Sequence, residues 1–64
     1  MTIRQAGEGK VRTAKKAVPY RIGFNGGDET ELDVASMGEL EELWKSLCPE
    51  FGCAEDSVDY VERA

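Results

Sequence analysis

Two thiols are the residues best suited to chemistry. Cys48 and Cys53 are the only cysteines, separated by Pro49-Glu50-Phe51-Gly52. A zinc or iron–sulfur site takes four ligands, and the chain has no histidine and no further cysteine. Two thiols could therefore hold a metal only across a dimer or together with carboxylates. The dithiol redox motif spaces its cysteines by two residues, not four. The plainest reading is one buried apolar cysteine and one loop cysteine. A reversible Cys48–Cys53 disulfide, acting as a redox sensor, and a shared metal are the alternatives. The missing imidazole also removes Ser-His-Asp and Cys-His nucleophile systems. No cofactor is implied.

Carboxylates are plentiful but not arranged for catalysis. Acid–base work by a carboxylate pair needs a cleft, which a 64-residue chain does not easily enclose. Asp28, Glu29, Glu31 and Asp33 could loosely hold a divalent cation, yet their spacing matches no EF-hand loop, and a solvated acidic surface is the better reading. Asn25-Gly26-Gly27-Asp28-Glu29 lacks the Lys and Ser/Thr of a phosphate-binding loop and opens no helix, so it reads as a hairpin turn. Tyr20 and Trp44 could stack nucleobases; at strand and helix core positions, packing explains them better. The chain is expected not to be an enzyme.

Charge is unevenly distributed. Up to residue 21, Arg4, Lys10, Arg12, Lys15, Lys16 and Arg21 stand against Glu8 alone, giving +5; thereafter Lys45 and Arg63 stand against twelve carboxylates, giving −10. The body should repel nucleic acid and anionic lipid. Those six basic residues are the candidate nucleic-acid contacts, on an electrostatic arm. A soluble tail lying against the acidic body is the simpler reading. No apolar run approaches the ~20 residues that cross a bilayer, nor does the N-terminus contain a signal-peptide core. A cytoplasmic location without membrane contact is expected.

The elements that must position these residues follow from periodicity. Residues 1–16, interrupted by Gly7 and Gly9, read as a basic flexible arm. Residues 17–63 read as one compact domain. Val18, Tyr20, Ile22 and Phe24 alternate with Pro19, Arg21 and Gly23, and Thr30, Leu32 and Val34 alternate with Glu31 and Asp33. This period of two marks strands with one buried face. Pro19 lacks an N–H and must lie at a strand's start or at an edge. If both apolar faces share a side, even residues face even residues, because a one-residue slip turns every side chain over. That excludes a two-residue turn. Pairing Phe24 with Thr30, Ile22 with Leu32 and Tyr20 with Val34 leaves a five-residue loop, 25–29; a three-residue loop also satisfies the rule. Arg21 should then lie near Asp33 or Glu31.

Ser36-Met37-Gly38-Glu39 fits a capping box. Met37, Leu40, Leu43, Trp44 and Leu47 follow on one helical stripe, and Pro49 stops the helix near Leu47 or Cys48. Residues 57–62 suit a helix through Val58 and Val61, or a strand through Val58 and Tyr60; β-branched and aromatic content favours the strand. The expected fold is α+β: a small three-stranded antiparallel sheet in β-β-α-β sequence, spatial order 2-1-3, with one helix on one face. The expected core is Val18, Tyr20, Ile22, Phe24, Leu32, Val34, Leu40, Leu43, Trp44, Leu47, Phe51, Val58 and Tyr60. The other sheet face (Pro19, Arg21, Gly23, Glu31, Asp33, Asp59) is polar or small. That predicts a monomer or weak homodimer.

The Glu-Leu-Glu-Glu-Leu-Trp run within Ser36–Leu47, followed by Asp56-Ser57-Val58-Asp59-Tyr60-Val61-Glu62, resembles small accessory proteins of Gram-positive bacterial conjugative elements, a family without an established activity. The resemblance covers about residues 20–62. It implies a compact cytoplasmic αβ fold and assigns no site. Without a catalytic constellation, the expected function is that of a protein-interaction module with an unidentified protein partner, meeting it through an exposed strand edge or the acidic helix face. A nucleic-acid accessory protein acting through the arm is the alternative.

Overall fold

A computed structural model describes residues 1–64. Five elements follow one another: α1 (Ile3–Gly7), β1 (Val18–Phe24), β2 (Asp28–Val34), α2 (Met37–Leu47) and β3 (Val58–Arg63). The three strands form one antiparallel sheet in the order β2-β1-β3, and the fold is α+β as its periodicity predicts. Pro19 is the second residue of the central strand.

The hairpin keeps the predicted parity and shifts its register by two. Phe24 pairs with Asp28, Ile22 with Thr30, Tyr20 with Leu32 and Val18 with Val34. The turn therefore takes only residues 25–27. Asn25 and Gly26 hold φ of 52° and 74°, a left-handed pair that reverses the chain quickly. The tighter turn also extends the ladder to Val18↔Val34.

β3 resolves the helix-or-strand ambiguity through a bulge. Ile22 pairs with Val61, Gly23 with Tyr60, and Phe24 with Val58, so Asp59 is the extra residue. A bulge offsets the alternation by one. Val58 and Val61, three apart, therefore both point into the core (1% and 0% exposed), as they would on a helix. Tyr60 is thereby moved from its expected core position to the opposite face. There its ring lies over Gly23, where a Cβ would run into it. Asp59 is not idle either: its Oδ2 accepts from the Gly26 N–H at 2.8 Å, bracing the hairpin turn.

α2 begins where predicted. The Ser36 hydroxyl accepts from the Glu39 N–H at 3.2 Å, satisfying one of the helix's orphan donors. Its buried line is Leu40, Trp44 and Cys48, spaced by four. Leu43 and Phe51, both assigned to the core from sequence, are 36% and 38% exposed. Leu47 is half-buried. The sheet is only three strands wide, and a single turn-spaced row suffices to cover it.

Residues 1–16 depart most from expectation. Instead of a free arm, they contain α1, with a complete capping box: the Gln5 N–H donates to Thr2 Oγ1 at 3.2 Å, and the Thr2 N–H to Gln5 Oε1 at 2.9 Å. Ile3 and Ala6 are buried in the core. The Val58 N–H donates to the Met1 carbonyl at 3.0 Å and the Ala14 N–H to the Ala35 carbonyl at 2.8 Å. The segment's charged residues obscure a two-residue apolar contribution.

Two outcomes test this packing. Ile3→Ala should lower unfolding stability by about 2 kcal/mol or more in a denaturant titration, whereas a free arm would show no change. Gly23→Ala should cost ~1–3 kcal/mol through overpacking. Most of that cost should vanish in a Tyr60→Ala background; an additive double-mutant cycle would contradict the ring-over-glycine contact.

Candidate functional site

Three places gather polar chemistry: the Cys48–Cys53 loop, the outer sheet face, and a groove between α1 and α2.

Cys48 and Cys53 are joined as a disulfide, with Cα atoms 5.4 Å apart, within the range a bridge requires. The reading of one buried and one loop cysteine is correct for position, since Cys48 is buried and Cys53 half-buried, but not for pairing. Cys48 caps the C-terminus of α2, and the five-residue separation follows from the turn that brings Phe51 back. A ring this small contributes about 2 kcal/mol by chain entropy.

The outer sheet face carries Arg21, Glu29, Glu31, Asp33, Tyr60 and Glu62. Arg21 pairs across the ladder with Glu31 and donates to Glu62 Oε1 at 3.1 Å. That hydrogen bond, first among the causes, raises the guanidinium's pKa and keeps it charged. The Tyr60 hydroxyl donates to Glu29 Oε2. This bond, reinforced by desolvation and by the Glu29 charge, pushes the phenol up to about 12. Sequence reasoning missed the Tyr60–Glu29 pair because it placed Tyr60 in the core; the three-residue spacing of Val58 and Val61 was the available signal.

The groove, about 590 Å³, runs between the start of α1 and α2. Arg4, Glu41, Trp44, Lys45, Cys48 and Cys53 are among its lining residues. Arg4 Nη2 lies 2.6 Å from Glu41 Oε1. Although Glu41 Oε1 lacks a directed hydrogen bond, the ion-pair distance dominates at this range. Trp44 Nε1 is buried without a protein partner, a cost of ~1–3 kcal/mol.

The six candidate nucleic-acid residues divide into two that are ion-paired and four that are exposed on one loop. Arg4 and Arg21 are engaged with Glu41 and Glu62. Lys10, Arg12, Lys15 and Lys16 are exposed along the loop between α1 and β1, where the Arg12 backbone N–H donates to the Tyr20 hydroxyl at 3.3 Å. No three His, Cys, Asp or Glu side chains converge to hold a metal ion, and no helix is long and apolar enough to cross a membrane. No family model, curated protein or solved structure matches the chain.

The Tyr60 hydrogen bond has a pH signature. Its folded-state pKa lies above the ordinary ~10, so its stabilisation is complete below pH 10 and is lost as pH rises from 10 to 12. Carbon-13 shifts of the Tyr60 ring should titrate near pH 12, and Glu29→Gln should move that midpoint toward 10. An unchanged midpoint would sever the pair.

Proposed function

We propose that the protein is a non-enzymatic interaction module that takes up an extended basic segment of a partner protein as an added strand along β2. The observation that carries this reading is the free edge. β2 is the end strand of the sheet, paired with β1 and with no second strand. An unpaired edge is a template for another strand.

The edge's chemistry narrows the partner. Asp28, Glu29, Glu31 and Asp33 make four of the seven residues of β2 acidic. Two copies meeting edge to edge would place like charges opposite one another, which opposes self-pairing. A strand with alternating Lys or Arg would instead set cations against Glu29, Glu31 and Asp33 on the outer face. Glu62 is already occupied by Arg21, and Glu29 by Tyr60. Glu31 and Asp33 are therefore the residues with most to gain. β3 is a poorer template, because Met1 already pairs with it at Val58.

A synthetic peptide alternating lysine with valine, titrated into the isotopically labelled protein, should slow amide exchange within Asp28–Val34 and leave β3 unaffected. The matching glutamate–valine peptide should not bind, and Glu31→Lys with Asp33→Lys should weaken the lysine peptide at least tenfold. Slowed exchange at β3 alone, or equal binding of both peptides, would reject the reading. Labelled DNA titrated at low salt separates the alternative: binding that disappears on Lys10, Arg12, Lys15 and Lys16 replacement would favour a nucleic-acid role instead.

A further inference from the structure

The Cys48–Cys53 loop is distant in sequence from the β2 edge and carries an inference independent of it. We propose that Cys48 and Cys53 form a reversible redox site, whose state governs how firmly Phe51 is held against Trp44 and Phe24.

The loop backbone has hydrogen bonds of its own besides the sulfur–sulfur bond. The Cys48 N–H donates to the Trp44 carbonyl at 2.8 Å, the Phe51 N–H to Leu47 at 3.0 Å, the Gly52 N–H to Pro49 at 3.2 Å and the Cys53 N–H to Cys48 at 3.1 Å. The sulfurs are also accommodated in the reduced state. Cys48 Sγ lies 3.1 Å from the Cys53 carbonyl oxygen and 3.4 Å from that of Ala54, and Cys53 Sγ lies 3.3 Å from the Cys48 carbonyl oxygen. A thiol is a weak donor, and each has an acceptor in place. The same backbone thus serves the dithiol and the disulfide.

Exchange also has access. Both cysteines line the groove between α1 and α2, and Cys53 is the more exposed. The oxidant is a low-molecular-weight disulfide. The Cys53 thiolate attacks one of its sulfurs, forming a mixed disulfide and expelling one thiolate. The Cys48 thiolate then attacks the Cys53 sulfur and expels the second. The two cysteines lose two protons and two electrons, and the small disulfide becomes two thiols. Reduction by a small thiol reverses both steps.

The consequence falls on an aromatic cluster. Phe51 sits midway between the cysteines. Its ring centroid is 5.2 Å from Phe24 and 5.9 Å from Trp44. It is 38% exposed, so burial alone holds it weakly. The bridge closes the short segment that carries it; reduction leaves the segment on its hydrogen bonds alone.

The test equilibrates the full chain in glutathione buffers of graded ratio, quenches with acid, and counts alkylated thiols by mass. The expected result is a single two-electron transition between no and two alkyl groups, with far-ultraviolet circular dichroism unchanged. Tryptophan emission should change at the same midpoint, and amide shifts should be confined to residues 47–54 and the Phe24 and Trp44 neighbourhoods. Cys53→Ser should abolish the transition and give the reduced-state spectrum; Cys48→Ser should agree if it folds. Two alkylated thiols at every ratio would overturn the proposal. So would loss of circular dichroism on reduction, which would make the bond a structural staple, or identical Trp44 emission in both states, which would remove the coupling.

Discussion

The edge-to-face contact of Trp44 with Phe24 is the constraint on which the structure turns. The ring centroids are 5.3 Å apart at 71°, the geometry that aromatic quadrupoles favour. Phe24 ends the central strand, and Trp44 lies in the middle of the buried row of α2. Their contact fixes where the helix crosses the sheet. The other buried residues join this pair in one cluster: Ile3, Ala6, Tyr20, Ile22, Val34, Leu40, Cys48, Val58 and Val61. In a chain of 64 residues a single core of this kind is marginal, so each remaining segment must contribute to it. That requirement explains why a basic, glycine-interrupted N-terminus folds: Ile3 and Ala6 join the core where α1 packs against β3, a strand whose backbone α2 does not approach closely.

The elements written in long periods were legible in the sequence. Alternation identified β1 and β2, and the parity rule restricted their turn to an odd length. The Ser36 cap and the Leu40–Trp44 spacing located α2, with Pro49 ending it. Legibility failed where a single local event overrides a period. The choice between a three- and a five-residue turn depended on Asn25 and Gly26 both adopting positive φ. The face of Tyr60 depended on one bulged residue, Asp59. α1 has only five residues, and its Thr2-x-x-Gln5 box was written in the sequence beside charges that suggested solvent. The cysteine pairing was equally hidden: spacing alone does not reveal that the chain after α2 doubles back within bridging distance.

Charge then divides the surface into regions with different capacities. The outer sheet face has one cation, Arg21, committed to Glu62 at its side, while the carboxylates on β2 outnumber their partners. Surface ion pairs are worth little individually, so Arg21 does not neutralise the face; it orients one strand pair and leaves the β2 side acidic. The same imbalance sets like charges opposite one another if two β2 edges meet, which opposes their pairing. In the proposed reading, the sign of the charge rather than the shape of a cavity sets which partner is admitted.

The groove between α1 and α2 follows different physics. Its floor includes Trp44, whose indole N–H is desolvated without a partner, and one wall is the disulfide loop. An unpaired buried donor is tolerated only where packing over-determines the ring's position; Phe24 and Phe51, stacked on one another at 5.2 Å, both pack against Trp44 and do this. Phe51, however, is held by a six-residue loop and is more than a third exposed. The indole therefore meets one ring carried by β1 and one whose hold depends on how tightly residues 48–53 are closed. A bond that closes that loop acts on the one wall of the aromatic cluster that the core itself does not fix. Local chemistry at two sulfurs can consequently alter the environment of Trp44 while the sheet and the β2 edge stay as they are.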